Sequence, residues 1–179
     1  MISIADLLAR TDGPKVEVDR SVSLTREANK KAYAYWQEAR GTRPWPARKD
    51  LTPQGMKPFM RHVGLVELRT ASEGRKATYV IRYAGSKIES VYGSITGKTL
   101  EEFLSSDLQA RWRIVFDAVM AAKAPIRFAT PVMFGAKFYL SAEVLLAPLG
   151  DGDEVTMLFA GVDIWPTHEK DSPVPDLRG

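Results

Sequence analysis

The hydrophobic pattern of the chain predicts an α+β domain: a five-stranded antiparallel sheet with helices on one face and an N-terminal amphipathic helix. Three observations carry this. Strand-like stretches fall into two hairpin-linked sets, helical periodicity fills the interval between them, and a separate apolar stripe of helical spacing precedes the first strand. The chain has 179 residues, 45% of them hydrophobic and 26% charged, which suits one soluble domain with a sizeable core.

Residues 1–23 show weak periodicity and a turn at Asp12-Gly-Pro14, and read as an N-terminal arm. A leading helix follows over 24–39, where Leu24, Ala28, Ala32, Tyr35, Trp36 and Ala39 recur at three- and four-residue spacing. Ser23 or Thr25 is expected to cap it, and Gly41, Pro44 and Pro46 end it. Thr52 caps a short second helix with Pro53 in its first position.

Val63–Thr70 and Ala77–Ala84 form the first hairpin across a turn at Gly74, with Tyr79, Ile81 and Tyr83 on one side of its second strand. Ser86–Val91 is a short helix, and Thr99 caps a turn through Glu102 and Phe103. A longer helix from Ser106 or Asp107 to Lys123 presents Leu108, Trp112, Val115, Phe116 and Val119, with Gln109, Arg113 and Asp117 opposite. Strands at Ile126–Met133, Phe138–Pro148 and Glu154–Trp165 complete the sheet, the last two joined by Gly150-Asp-Gly-Asp153. The domain thus spans 24–166, and 167–179 is a polar tail expected to be disordered.

Composition excludes much chemistry. There is no cysteine, hence no disulfide, thiolate metal site or thiol nucleophile. Only His62 and His168 could serve as an imidazole base or metal ligand, and nothing in their spacing brings them together. The G-x-S-x-G, G-x-G-x-x-G and Walker patterns are absent. Glu143 and Asp163 are carboxylates on strands, but Glu143 alternates with apolar neighbours and is expected to face solvent, so no acid–base pair stands out. No catalytic residue and no metal site is predicted. No apolar run reaches the roughly 18 residues of a membrane span, and residues 1–20 lack a secretory pattern, so a cytoplasmic location is expected.

Charge is uneven. Residues 26–61 hold nine Lys or Arg against three acids. Within them, Arg40–Lys49 carries Trp45 among basic residues and could hold phosphates with a stacked base. The plainer reading is a helix end and a Pro-stiffened connector with solvated charges.

Several motifs, taken in order, resemble a known family. Tyr35-Trp36, Arg43-Pro44 with Pro46-Ala-Arg48, Asp50-Leu-Thr-Pro53, Ile81-Arg-Tyr-Ala-Gly85, Tyr92-Gly93 and Thr96-Gly-Lys98 are together similar to a PAS domain, specifically a bacterial single-PAS family typical of alphaproteobacteria. The resemblance covers roughly Thr25–Pro166. It implies a PAS-like sheet, a pocket between the sheet and the central short helices, sensing of a small molecule or partner without catalysis, and dimerisation through the leading helix. A homodimer with Tyr33, Tyr35 and Trp36 at its interface is therefore expected. Signalling would pass by contact with a separate protein or by a change of oligomer.

The resemblance leaves the cofactor unknown. A flavin–cysteinyl adduct and a thioester-linked chromophore are excluded by the absence of cysteine, and haem is disfavoured because 105–123 holds no histidine. Non-covalent flavin has no positive signal. The candidate ligand-binding residues are Tyr79, Ile81, Tyr83, Ile88, Val91, Leu100, Phe103, Phe116, Val119, Phe128, Thr130 and Tyr139. Of these, Tyr79, Tyr83 and Thr130 carry the hydroxyls expected to orient a ligand. The alternatives are a ligand-free structural adaptor with the same fold, or a nucleic-acid binder using 40–49.

Overall fold

The computed structural model describes residues 2–132, 134–135 and 139–167. His168 and the rest of the predicted polar tail after Thr167 lie outside them, as do Met133 and Phe138 at the ends of two predicted strands and Ala136 and Lys137 between those strands. The elements run α1 (Ile4–Ala9), β1 (Glu17–Asp19), α2 (Glu27–Arg40), α3 (Pro53–Met56), β2 (Val63–Arg69), β3 (Thr78–Ala84), α4 (Ser86–Tyr92), α5 (Leu100–Phe103), α6 (Ser106–Ala122), β4 (Ile126–Pro131), β5 (Leu140–Leu149) and β6 (Met157–Pro166).

The strands form one antiparallel sheet in the order β1-β4-β5-β6-β2-β3. The five predicted strands are there, and the arm adds a sixth. β1 pairs Glu17 with Ala129 and Asp19 with Arg127. The arm is structured before it as well. Ser3 and Asp6 cap α1 reciprocally, and Ile4 and Leu8 are buried in the main core. A six-residue helix has little stability of its own. Its buried face is what holds it.

Alternation along each strand divides the interior in two. Val66, Val144, Leu146, Leu158, Ala160 and Ile164 face the core beneath α4, α5 and α6. Val63, Leu65, Ala147, Leu149 and Phe159 face a second core that contains Ala32 and Trp36 of α2, with Trp45, Leu51, Met56 and Phe59 from the segment after it. The central helices thus cover one face and α2 covers the other.

Of the three residues expected at a dimer interface, Tyr33, Tyr35 and Trp36, this placement buries Trp36 inside the chain itself. Trp36 is 2% exposed and its indole N–H donates to Pro148 O at 3.0 Å. Tyr35 packs on Phe59, and its hydroxyl accepts from Thr52 N at 2.9 Å. Tyr33 is half-buried and stacks on Trp36. The apolar stripe needed a surface, and the chain's own sheet supplies it.

Local signals act where the sequence places them. Thr52 Oγ1 accepts from Gly55 N, with Pro53 opening α3. α6 closes at Lys123 in the left-handed conformation (φ 50°), just before Ala124-Pro125. Gly85 answers to close approach: a Cβ there would stand 2.3 Å from Arg61 O and 2.5 Å from Met60 O. That contact fixes α4 against the turn leading into β2.

Candidate functional site

A cavity of about 130 Å³ lies between the sheet and α4, α5 and α6. β2 and β3 contribute Val66, Ile81 and Tyr83, and β4, β5 and β6 contribute Phe128, Val144, Ala160 and Ile164. Ile88, Leu100, Phe103, Val115 and Phe116 close the helical side. Leu8 and Val16 of the arm also reach its wall. The lining is overwhelmingly apolar, the usual character of a small-molecule site.

The structure brings together Ile81, Tyr83, Ile88, Leu100, Phe103, Phe116, Phe128 and Thr130 around this cavity. The other four candidates are elsewhere. Val91 and Val119 are buried in the core behind the wall, and Tyr79 packs edge-on to Phe116 with its hydroxyl donating to Asp117 Oδ1 at 2.5 Å. Tyr139 is 57% exposed. β5 begins at Leu140, so Tyr139 precedes the strand and alternation assigns it no face.

The hydroxyls expected to orient a ligand are committed within the chain. Tyr79 bonds Asp117, Tyr83 donates to Met60 O at 3.4 Å, and Thr130 donates to Pro131 O at 3.1 Å. Burial and the neighbouring Asp117 carboxylate push the Tyr79 phenol well above its ordinary value. Two polar residues outside the candidate ligand-binding set, Tyr92 and Arg111, also line the cavity. Tyr92 packs against Phe103 and Phe134, its hydroxyl meets no hydrogen-bond partner among the described residues, and burial pushes its pKa up to about 12. Arg111, on α6, is 6% exposed. The signal for Arg111 was present in the sequence. It stands three residues after Leu108 and four before Val115, inside the apolar stripe of α6.

A second polar cluster lies on the opposite face, under the start of α2. Glu143 is fully buried rather than facing solvent. Its Oε2 accepts from Thr25 N (2.9 Å), Thr25 Oγ1 (2.8 Å) and Arg127 Nε (2.9 Å), and its Oε1 accepts from Arg26 N and Asn29 Nδ2, both at 3.1 Å. The expected cap from Ser23 or Thr25 is replaced by this carboxylate, which satisfies backbone donors at the helix start and complements its dipole. Burial alone would raise the Glu143 pKa, but the hydrogen bonds from Thr25, Arg127 and Arg26 outweigh it and hold the group below its ordinary value. Arg127 also reaches Glu17 of β1 at 2.6 Å. Beside it, Asp163 pairs with Arg26 at 3.0 Å and lies 3.4 Å from His62 Nδ1, which meets Val162 O at 3.0 Å. Glu143 and Asp163 thus join the start of α2 to the sheet, while Arg127 and Glu17 tie β4 to β1 and His62 ties the turn before β2 to β6.

The basic segment is likewise structural in its contacts. Arg43 donates to Ala39 O and Arg40 O at the end of α2 and pairs with Asp50 at 2.9 Å. Trp45 is 7% exposed with Lys123 Nζ over its ring, so its indole is not a platform for a base. Among the described residues no group of three or more His, Asp or Glu side chains could hold a metal ion, and no helix is long and apolar enough to cross a membrane.

No curated protein matches the chain. Among solved structures, one described as "Structure of an RNA-binding Light-Oxygen-Voltage Receptor" aligns over 89% of this chain at 13% identity with a TM-score of 0.45. The chain spans about half of that protein, 47% of its length. The family model described as "PAS domain" matches residues 24–163, from the start of the leading helix to the last sheet strand. The chain belongs to the PAS domain family, a class of sensory and regulatory modules.

Proposed function

We propose that this PAS domain is a non-catalytic sensor whose cavity holds a small, largely apolar ligand, and that occupancy is relayed by contact with a separate protein or by a change of oligomer. The single observation that supports it is the 130 Å³ apolar space at the centre of the core. Interiors are normally filled to crystal-like density, and an unfilled space of this size gives up packing energy. A ligand restores it.

Within the family, the order of motifs from Tyr35-Trp36 to Thr96-Gly-Lys98 favours a bacterial, cytoplasmic single-PAS protein. The arm over 1–23 and the domain over 24–166 are its working units. In a homodimer, the surface of α2 turned away from the sheet would make the contact, since the inner stripe is occupied.

Native mass spectrometry of freshly purified protein, beside its denatured mass, tests the reading. A reproducible extra mass lost on denaturation is expected, and Ala142→Leu, which puts a larger side chain into the wall, should abolish it. A bare mass, together with no thermal shift from toluene or 1-hexanol, would overturn the sensor reading in favour of a ligand-free adaptor.

A further inference from the structure

Arg111 is an unusual wall for an apolar cavity. Its guanidinium is buried, and its recorded partners are uncharged oxygens of the arm: Nη1 donates to Thr11 Oγ1 at 2.7 Å and, more weakly, to Asp12 O at 3.5 Å, and Nη2 donates to Pro14 O at 2.7 Å. Among the described residues no carboxylate pairs with it and no acceptor meets its Nε–H. By contrast, Arg127 is matched by Glu143 and Glu17, and Arg26 by Asp163. A buried cation held by neutral dipoles alone keeps most of its desolvation penalty. Burial accordingly pushes the Arg111 guanidinium below its ordinary value, with no neighbouring acid to offset it.

We infer that the cavity takes a compact amphipathic monocarboxylate, its apolar body among Val115, Phe116, Phe128 and Val144 and its carboxylate paired with Arg111. This rests on the sensor reading and names its ligand class. Size sets the body: a dry protein cavity of about 150 Å³ accommodates benzene, so about 130 Å³ suits a body of about five or six carbon atoms. Charge sets the head group. A carboxylate is a stronger acceptor for a guanidinium than a carbonyl or hydroxyl, and the planar fork accepts it through two parallel bonds. Phosphate esters and dicarboxylates fit less well, because one cation cannot neutralise a second negative charge among such apolar walls.

The test is calorimetric titration of the full chain with hexanoate and benzoate against their uncharged counterparts, 1-hexanol and benzyl alcohol. The carboxylates should bind about tenfold or more tightly than the alcohols, the range of a charge-assisted hydrogen bond. In Arg111→Met that preference should fall to within about threefold, and in Arg111→Lys it should persist in weakened form. Because Arg111 also holds the arm, a variant that fails to fold is replaced by a measurement on the native chain: the Arg111 Nε–H NMR resonance should move on adding hexanoate and stay on adding 1-hexanol. Equal binding of acids and alcohols, or an unmoved resonance at saturating hexanoate, would overturn the inference and leave the sensor reading standing. Absence of binding by all four probes and by toluene would overturn both.

Discussion

Replacing Glu143 with glutamine tests how the leading helix is held. The carboxylate receives five hydrogen bonds and offers none, so every neighbour within reach is a donor. A glutamine of the same shape must aim its NH₂ at some of them. Turned one way it opposes Arg26 N and Asn29 Nδ2, and turned the other it opposes Thr25 and Arg127. It also leaves Arg127, 2% exposed, with only the half-exposed Glu17 as a charged partner. Removing one member of a buried ion pair costs about 3–5 kcal/mol. The retained amide oxygen and Glu17 offset part of this, so the loss for Glu143→Gln at pH 7 should be about 3 kcal/mol. For a chain of this size that lowers Tm by about 6–12 °C.

Urea unfolding followed by circular dichroism would measure it, with hydrogen exchange to locate it. Protection should fall most at the amides of Thr25, Arg26 and the first turn of α2. The dependence on pH has a definite sign. The Glu143 pKa is lowered on folding from 4.5, so its stabilisation is fully present above that value and is lost as pH falls through the lower folded value. The gap between wild type and variant should therefore close in acid. A loss below about 1 kcal/mol at neutral pH, or a gap that persists unchanged at low pH, would refute the assignment of Glu143 as an ionised cap.

Three further outcomes follow from packing and burial. Trp36→Ala should destabilise the chain by about 3–5 kcal/mol, measured by urea unfolding, because it removes a buried ring and leaves Pro148 O without its donor. Gly85→Ala should lower stability by at least about 2 kcal/mol in thermal unfolding, since the added carbon meets the Met60 and Arg61 carbonyls and neither is the end of a movable side chain. In alkaline spectrophotometric titration, Tyr79 and Tyr92 should ionise last among the six tyrosines. Their phenols are raised on folding from 10.0, so the stability they contribute is present below pH 10 and is lost as pH climbs through the folded values.

Much of the fold was legible because the information is local. Alternation located the two strand sets, and the apolar stripes located α2 and α6. Thr52-Pro53 and Lys123-Ala124-Pro125 marked helix ends by chemistry that operates over three or four residues. The arm was not legible, since a helix as short as Ile4–Ala9 and a strand of three residues exist only through the core and the β4 edge they meet. Glu143 illustrates another limit. Its place in the strand pattern assigns it to one face of the sheet, but what covers that face is decided by residues more than a hundred positions away. For the cavity, the strand and helix faces carrying Ile81, Ile88, Leu100, Phe116 and Phe128 were readable. The polar choices were not, because a hydroxyl's partner depends on tertiary contact.

The pairing of β1 with β4 has a consequence for solubility. A sheet ends in two rows of unsatisfied backbone groups, which act as templates for strands from other molecules. At the β3 margin, Ile81 exchanges hydrogen bonds with Lys98 O and Gly97 N, so a loop of the same chain shields that border. At the other margin, the three-residue β1 is the shield, and behind it lie Phe128 and Ala129, both nearly inaccessible. The arm is therefore also a guard against misassembly: a chain clipped after Asp19 would present β4 as a fresh, apolar border and join edge to edge into aggregates.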